Sequence, residues 1–143
     1  MGRMGKMRVF LDTNVLVDFC AEREPFYFDA SAIIDMGYKG KVTLIASSLT
    51  FVNIAYVLRK VMPRELVMQK LERLMGLCVV SSINRQAVSS AFSSRSKDFE
   101  DAVQYFSALQ VDADLIVTRD DKGFAGFDLP VMTPAVFLAH CAK

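Results

Sequence analysis

Short apolar runs alternate along the chain with longer amphipathic segments. The runs are rich in β-branched and large aliphatic residues, as buried strands are, and lie at residues 7–11, 42–46, 77–80, 115–117 and 131–132. Between them, apolar residues recur every three or four positions, which predicts helices at residues 14–20, 26–38, 49–61, 63–75, 98–109 and 134–140, with a further helix that Asn84 caps. Strands separated by helices indicate an α/β fold, with a parallel sheet covered on both faces.

Two of the predicted strands end in a carboxylate. Asp12 follows the apolar run Val9–Leu11, and Asp120 follows the run Leu115–Val117 after only two further residues. In open α/β sheets, ligands bind just beyond the carboxyl ends of the strands, so the fold would bring these two charges to one edge. Carboxylates gathered in this way repel one another and attract a hard cation.

A third group of acids lies at the start of a predicted helix. Asp98, Glu100 and Asp101 crowd its first turn, and the spacing of three places Asp98 and Asp101 on one helical face. One interpretation needs no chemistry, because Asp98 can cap the helix while Asp101 interacts with the helix dipole. Taken together, however, Asp12, Asp101 and Asp120 could supply the oxygen ligands that Mg²⁺ or Mn²⁺ prefers. Such a site can activate water for phosphodiester cleavage.

Three segments in this order resemble the signature regions of PIN-domain nucleases. They are Val9-Phe10-Leu11-Asp12-Thr13-Asn14, Asp98-Phe99-Glu100-Asp101-Ala102 and Ile116-Val117-Thr118-Arg119-Asp120. The likeness covers nearly the whole chain and is greatest to small bacterial PIN proteins of the VapC-like toxin type. It implies a Rossmann-like α/β/α sandwich with a central, mostly parallel sheet of four or five strands. It also implies a Mg²⁺- or Mn²⁺-dependent endoribonuclease, an enzyme of a kind that a partner antitoxin often restrains.

The resemblance also implies roles for individual residues. The metal-binding and catalytic acids would be Asp12, Asp101 and Asp120. Asn14 would brace the turn after the first strand, and Thr118 would orient the last acid or a metal-bound water. Asp121 replaces Asp120 if the final loop shifts by one residue, and Asp98 could extend the site through a water molecule if it does more than cap the helix.

One position departs from the family pattern. Many members carry a Glu near the start of the helix after the second strand, where this chain has Asn53. An amide oxygen can coordinate a metal or accept a hydrogen bond, but it has no charge and cannot act as a base. Either three acids are enough, or metal binding and catalysis are weakened. If the site is weakened, the chain would be a PIN module that binds RNA or a protein. A second alternative is a phosphate-binding regulatory α/β domain, in which a strand can also end in Asp. The second lacks support because no glycine-rich loop follows the first strand.

Charge and length add limited information. The 143 residues carry a net charge of +1, and they suit one domain at residues 7–143 after a flexible leader at residues 1–6. Beside the acids, Arg119 and Lys122 are candidates for holding an RNA phosphate, unless Asp120 and Asp121 neutralise them. The single histidine is too far from the motifs to serve a catalytic triad.

The apolar runs and the cysteines predict the location of the protein, and the apolar helices predict a homodimer. No apolar run approaches the roughly 20 residues of a spanning helix, and three widely spaced cysteines suit reduced thiols, so we expect a cytoplasmic protein that does not enter membranes. The helices at residues 49–75 have more apolar residues than one face needs. A homodimer could bury that surplus.

Overall fold

The computed structural model describes residues 5–142, and residues 1–4 of the predicted leader lie outside the described part, as does Lys143. Gly5 and Lys6 are exposed, and the first strand begins at Arg8. The strands are β1 (Arg8–Leu11), β2 (Thr43–Ser47), β3 (Val79–Ser81), β4 (Leu115–Val117) and β5 (Val131–Met132). The helices are α1 (Thr13–Cys20), α2 (Phe26–Tyr38), α3 (Ser48–Leu58), α4 (Arg64–Leu77), α5 (Arg85–Ser94), α6 (Phe99–Gln110) and α7 (Pro134–Cys141), and a 3-10 helix (Asp121–Phe124) follows β4.

The five strands form one parallel sheet in the order β3-β2-β1-β4-β5. β1 is central, with Phe10 in register with Ile45 of β2 on one side and Ile116 of β4 on the other. β2 and β3 lie on one side of β1, and β4 and β5 lie on the other, so the strand order reverses between β1 and β4. In doubly wound sheets this switch point opens a crevice at the carboxyl ends of the strands. The predicted parallel sheet is therefore confirmed, and it has five strands.

Alternate residues of β1 face opposite layers of helices, as the period of two in a strand requires. Val9 and Leu11 pack into a core that includes apolar residues of α1, α2, α3, α4 and α7. Phe10 lies on the other face with Tyr105 and Ala108 of α6. The side chains of Val9, Phe10 and Leu11 are fully buried, so the run that predicted a strand lies at the centre of an α/β/α sandwich.

Most predicted boundaries agree with the structure within one residue. The exceptions are the end of α3, expected at residue 61 and found at Leu58, and the junction between α4 and β3. Helix α2 occupies the predicted residues 26–38, and β4 and β5 also have the predicted bounds. The strand expected at 77–80 instead begins at Val79, because α4 continues through Leu77. Both elements are apolar at this junction, and hydrophobicity alone does not separate a helix end from a strand start. Within residues 5–142, every helix is too short or too polar to span a lipid bilayer.

Candidate metal centre

Asp12 lies at the carboxyl end of the central strand and caps the following helix. Its backbone is extended, and its Oδ1 accepts a 2.8 Å hydrogen bond from the Thr13 amide. The Thr118 hydroxyl, just after β4, donates to Oδ2 at 2.8 Å. The residue is only 7% exposed. Asp12 is thus both the cap of α1 and a buried carboxylate that two neighbouring strand ends hold in place.

Asn14 and Thr118 connect the ends of β1 and β4. The Asn14 amide nitrogen lies 3.1 Å from Thr118 Oγ1 and 3.3 Å from Asp12 Oδ2. Its oxygen accepts a 3.2 Å hydrogen bond from the Arg119 amide, and the Thr118 hydroxyl accepts one of 3.1 Å from the Asp120 amide. Because Thr118 contacts both acids, it fixes the start of the last loop relative to Asp12.

Gln104 is a part of this site that the sequence analysis missed. It lies one turn after Asp101 on α6 and is fully buried. Its Oε1 accepts 3.0 Å hydrogen bonds from the Ser47 and Thr50 hydroxyls, and its Nε2 approaches Asp12 Oδ1 at 3.5 Å. A glutamine within the apolar stripe of α6 was the available signal, since a buried amide requires partners.

Asp101 faces the loop that follows β4. Asp98 caps α6, and its Oδ1 accepts a 3.0 Å hydrogen bond from the Asp101 amide. A Cβ atom added to Gly123 would stand 1.7 Å from Asp101 Oδ2. The loop backbone therefore approaches the carboxylate so closely that a side chain at position 123 would displace it, and the acid of α6 meets the segment that carries Asp120.

The pKa values of Asp12 and Asp101 are both raised above their ordinary value. Burial raises the pKa of Asp12, and the charges of Glu100 and Asp98 raise it further, against the lowering effect of the Thr118 and Thr13 hydrogen bonds. Burial also raises the pKa of Asp101 to about 8, with the Asp12 charge as the next cause and Asp98 after it. Ionisation of both acids would therefore gather negative charge in a partly dehydrated space, where a cation would stabilise it.

Glu100 is the acid of the α6 turn to which the sequence analysis assigned no role. Its Oε2 accepts a 3.2 Å hydrogen bond from the Asn53 side chain on α3. Its charge contributes to the raised pKa of both Asp12 and Asp101. Asn53, which stands where many family members have a Glu, therefore donates to the carboxylate of Glu100, the neighbour of Asp101 on α6.

The segment after β4 places the remaining candidates at the surface. Asp120 is exposed and caps the 3-10 helix, with its Oδ1 accepting from the Lys122 amide at 3.3 Å. Asp121 and Lys122 are also exposed. Lys122 lines a groove of about 400 Å³ together with Lys97 and Asp98. A groove of about 720 Å³, lined largely by α2 and α4, contains none of the candidate acids.

Arg119 is directed away from the exposed loop and toward Asp18 of α1. The Arg119 Nε and Nη2 atoms lie 2.5 and 3.2 Å from the Asp18 carboxylate oxygens. The guanidinium carbon lies 4.0 Å from the centre of the Phe26 ring. Asp18 is 1% exposed, so the arginine supplies the charge that this buried acid requires. An aspartate within the apolar run of α1 was the signal for such a partner.

The donor set fits a hard divalent cation. Across residues 5–142, no three acidic, histidine or cysteine side chains are already grouped as the ligands of one ion. Nevertheless, carboxylate oxygens are the donors that Mg²⁺ and Mn²⁺ prefer. Because Gly123 has no Cβ, the Asp101 carboxylate can lie against the backbone of the loop that carries Asp120. Asp12 and Asp101 would hold the ion from two different elements.

The fold and the ordered acids define a class of protein. The family model for the PIN domain matches residues 8–122, a range that runs from β1 into the 3-10 helix and includes all three acidic segments. The chain belongs to the PIN-domain family.

Similar proteins share most of the length of this chain. The chain is 27% identical over 139 residues to ribonuclease VapC1 of Aquifex aeolicus (strain VF5), covering 94% of this chain and 95% of that protein. Among solved structures it is similar to a toxin-antitoxin complex from Klebsiella pneumoniae, with TM-score 0.66, 19% identity and coverage of 88% and 97%. The DNA-bound VapBC structure from Salmonella typhimurium gives TM-score 0.66, 15% identity and coverage of 90% and 98%. At these identities the two structures support the fold alone.

Proposed function

We propose that this chain is an endoribonuclease that hydrolyses RNA phosphodiesters with Mg²⁺ or Mn²⁺. The observation that carries the proposal is the position of Asp12. It is buried at the strand switch point of a PIN domain, and its charge interacts with that of Asp101 on a separate helix. The similarity to a ribonuclease along the whole chain supports RNA as the substrate.

Each candidate residue has a role in this proposal. The metal would be held by Asp12, Asp101 and Asp120, with Asp121 as the alternative to Asp120. When bound, it would supply an activated water and stabilise the charge that develops on the phosphodiester. Asn14 and Thr118 position Asp12, whereas Asp98 caps the helix that presents Asp101.

The groove beside the acids offers a place for the RNA backbone. Lys97 and Lys122 line it, and both side chains are exposed. We assign the phosphate contact to Lys122 and give Arg119 a structural role, because its guanidinium is already engaged by Asp18. A lysine in this position would attract RNA in a salt-dependent manner.

The same proposal includes an antitoxin and a second copy of the chain as partners. The similarity to toxin-antitoxin structures supports the antitoxin. For the dimer, Val52 and Tyr56 lie one turn apart on α3, and both are more than 60% exposed. Val61, just beyond the helix, is similarly exposed. A second copy would cover this apolar surface, and light scattering on Tyr56→Lys would then show a shift toward monomer.

RNA cleavage with matched variants tests the proposed activity. Purified wild type should cleave labelled RNA in Mn²⁺, and Asp12→Asn or Asp101→Asn should lower the rate by about 100-fold or more. Asp35→Asn, an exposed acid paired with Lys39 on α2, is the matched control and should retain activity. An inactive wild type that still binds Mn²⁺ and RNA would instead favour the binding module. Expression of wild type, but not of Asp12→Asn, should also arrest growth if the protein is a toxin.

A further inference from the structure

We propose that Phe92 and Phe99 form a platform on which bases of the RNA substrate stack, beside the groove that holds its phosphates. The inference rests on the proposed ribonuclease function and specifies the form of RNA that the site takes, a strand with unpaired bases. The observation that carries it is a pair of aromatic rings at the surface. Phe92 is 69% exposed and Phe99 is 44% exposed, and their ring centroids lie 4.9 Å apart at an interplanar angle of 40°.

Helix packing does not require these rings to be at the surface. Phe92 lies in the last turn of α5 and Phe99 is the first residue of α6, and the two helices pack together around Ala91, Ala102 and Val103. Those three residues are buried, whereas the two phenylalanines lie outside that core. Exposed apolar side chains that lie together often mark a binding site. Aromatic rings also offer flat faces on which any base can stack.

The pair of rings lies beside the candidate metal centre. Residues 93–98 connect the two phenylalanines, and Lys97 and Asp98 of this connection line the groove of about 400 Å³. Gly123 also lines this groove, and its backbone approaches the Asp101 carboxylate. A strand that follows the groove therefore passes both the candidate acids and the connection that carries the two rings.

The charges of the groove favour a nucleic acid as the occupant. Lys97 and Lys122 line it, and none of the ion pairs within residues 5–142 involves either lysine. Asp98, the acid in the lining, is engaged as the cap of α6. A basic groove next to exposed aromatic rings is the combination by which proteins bind single-stranded nucleic acid. In a duplex the bases stack on one another, so the rings select a strand with unpaired bases.

A second copy of the chain is a poorer occupant of this surface. Two phenylalanine side chains offer about 150–250 Å² each. A stable contact between proteins buries roughly 800 Å² on each partner. Such a contact would also bring the unpaired lysines of the groove against an identical set of charges.

Binding measurements in EDTA test the platform separately from cleavage. Fluorescence anisotropy gives the Kd of the full chain for labelled oligoadenylate, for an RNA duplex of the same length and for an abasic strand. We expect wild type to bind oligoadenylate most tightly. Phe92→Leu and Phe99→Leu should each weaken that binding by about fivefold or more and leave the other two ligands unaffected. Leucine keeps an apolar side chain but has no aromatic face, whereas Phe92→Tyr retains the face and should bind like wild type.

Matched variants on other surfaces control for general effects. Phe28→Leu removes a ring that is 62% exposed on α2, and it should bind oligoadenylate like wild type. Lys97→Gln should weaken binding of both oligoadenylate and the abasic strand and reduce the slope of log Kd against log salt by roughly one. Lys41→Gln, an exposed lysine just before β2 at the amino ends of the strands, should leave both unchanged.

The outcomes separate this inference from the proposed function. Wild-type affinity for oligoadenylate in Phe92→Leu and Phe99→Leu, together with Mn²⁺-dependent cleavage by wild type, would overturn the platform and leave the proposed function standing. Unchanged RNA binding with a shift toward monomer in light scattering would identify the rings as a contact between copies and would also overturn it. Ring-dependent binding without any cleavage by wild type in Mn²⁺ would support the platform and contradict the proposed catalysis.

Discussion

The Thr118 hydroxyl donates a 2.8 Å hydrogen bond to Asp12 Oδ2 and thereby joins the carboxyl ends of β4 and β1. The two residues are 106 positions apart, and Thr118 is fully buried. The same hydroxyl accepts from the Asn14 side chain and the Asp120 amide. The position of Asp12 therefore depends on Thr118, which is an uncharged residue.

Replacing Thr118 tests this dependence. Thr118→Val keeps the shape but removes one donor to Asp12 and the hydroxyl that accepts from the Asn14 side chain and the Asp120 amide, so it should lower the free energy of unfolding by about 1–3 kcal/mol. Thr43→Val on β2 is the matched control and should change it by less than about 0.5 kcal/mol. Urea denaturation in metal-free buffer measures both. Equal stability of Thr118→Val and wild type would show that the bond does not hold Asp12.

The contact between Gly123 and Asp101 predicts that an added methyl group disrupts the site. In Gly123→Ala the new Cβ would stand 1.7 Å from Asp101 Oδ2, so the carboxylate or the loop must move. We expect Mn²⁺ affinity and RNA cleavage to fall by about tenfold or more. Gly76→Ala in α4 has open space and should instead stabilise the protein by about 0.5–1 kcal/mol. Unchanged Mn²⁺ affinity in Gly123→Ala would argue against Asp101 as a ligand.

The raised pKa of Asp101 predicts a pH-dependent stability in the metal-free protein. Because the folded pKa of about 8 exceeds the ordinary 3.8, the folded state binds this proton more tightly than the unfolded state. The resulting stability is fully present below the ordinary pKa and is lost as pH rises through about 8. In EDTA, the Tm of wild type should therefore fall from pH 5 to pH 8. Asp101→Asn should show a shallower fall and a higher Tm at pH 8. Equal slopes would contradict the electrostatic account.

The pair formed by Arg119 and Asp18 predicts that Arg119 matters for stability. Arg119→Gln would leave the buried Asp18 with Arg23 alone, whose nearest nitrogen is 3.9 Å away. We expect a loss of about 2–3 kcal/mol in the free energy of unfolding, at the low end for a buried pair because the arginine is 30% exposed. Lys122→Gln should instead leave stability unchanged and weaken RNA binding in a salt-dependent way. The reverse pattern in denaturation and binding assays would make Arg119 the phosphate contact.

Local patterns made the backbone of this protein predictable. An apolar run predicted the strand that ends before Asp12. The Asn84 cap and the spacing of apolar residues predicted the helix after β3. The acids at strand and helix ends were predictable for the same reason. Their functional assignment stays a prediction, since it depends on a metal and a substrate.

The side-chain partners were not predictable, because they join residues that are distant in sequence. The contacts of Arg119 with Asp18 and of Asn53 with Glu100 depend on how helices pack over the sheet. Gln104 likewise has partners from two other elements. In each case the sequence has a polar residue that is unusual at its position. Such a residue indicates that a partner exists but does not identify the partner.

The most direct test of the central claim is the rate of RNA cleavage as a function of Mn²⁺ concentration, compared with the calorimetric Kd for Mn²⁺. We predict no cleavage in EDTA, a saturable rise in rate with a midpoint near that Kd, and a loss of both signals in Asp12→Asn. Cleavage that persists in EDTA, or that is unaffected by Asp12→Asn, would contradict a metal-dependent ribonuclease centred on Asp12.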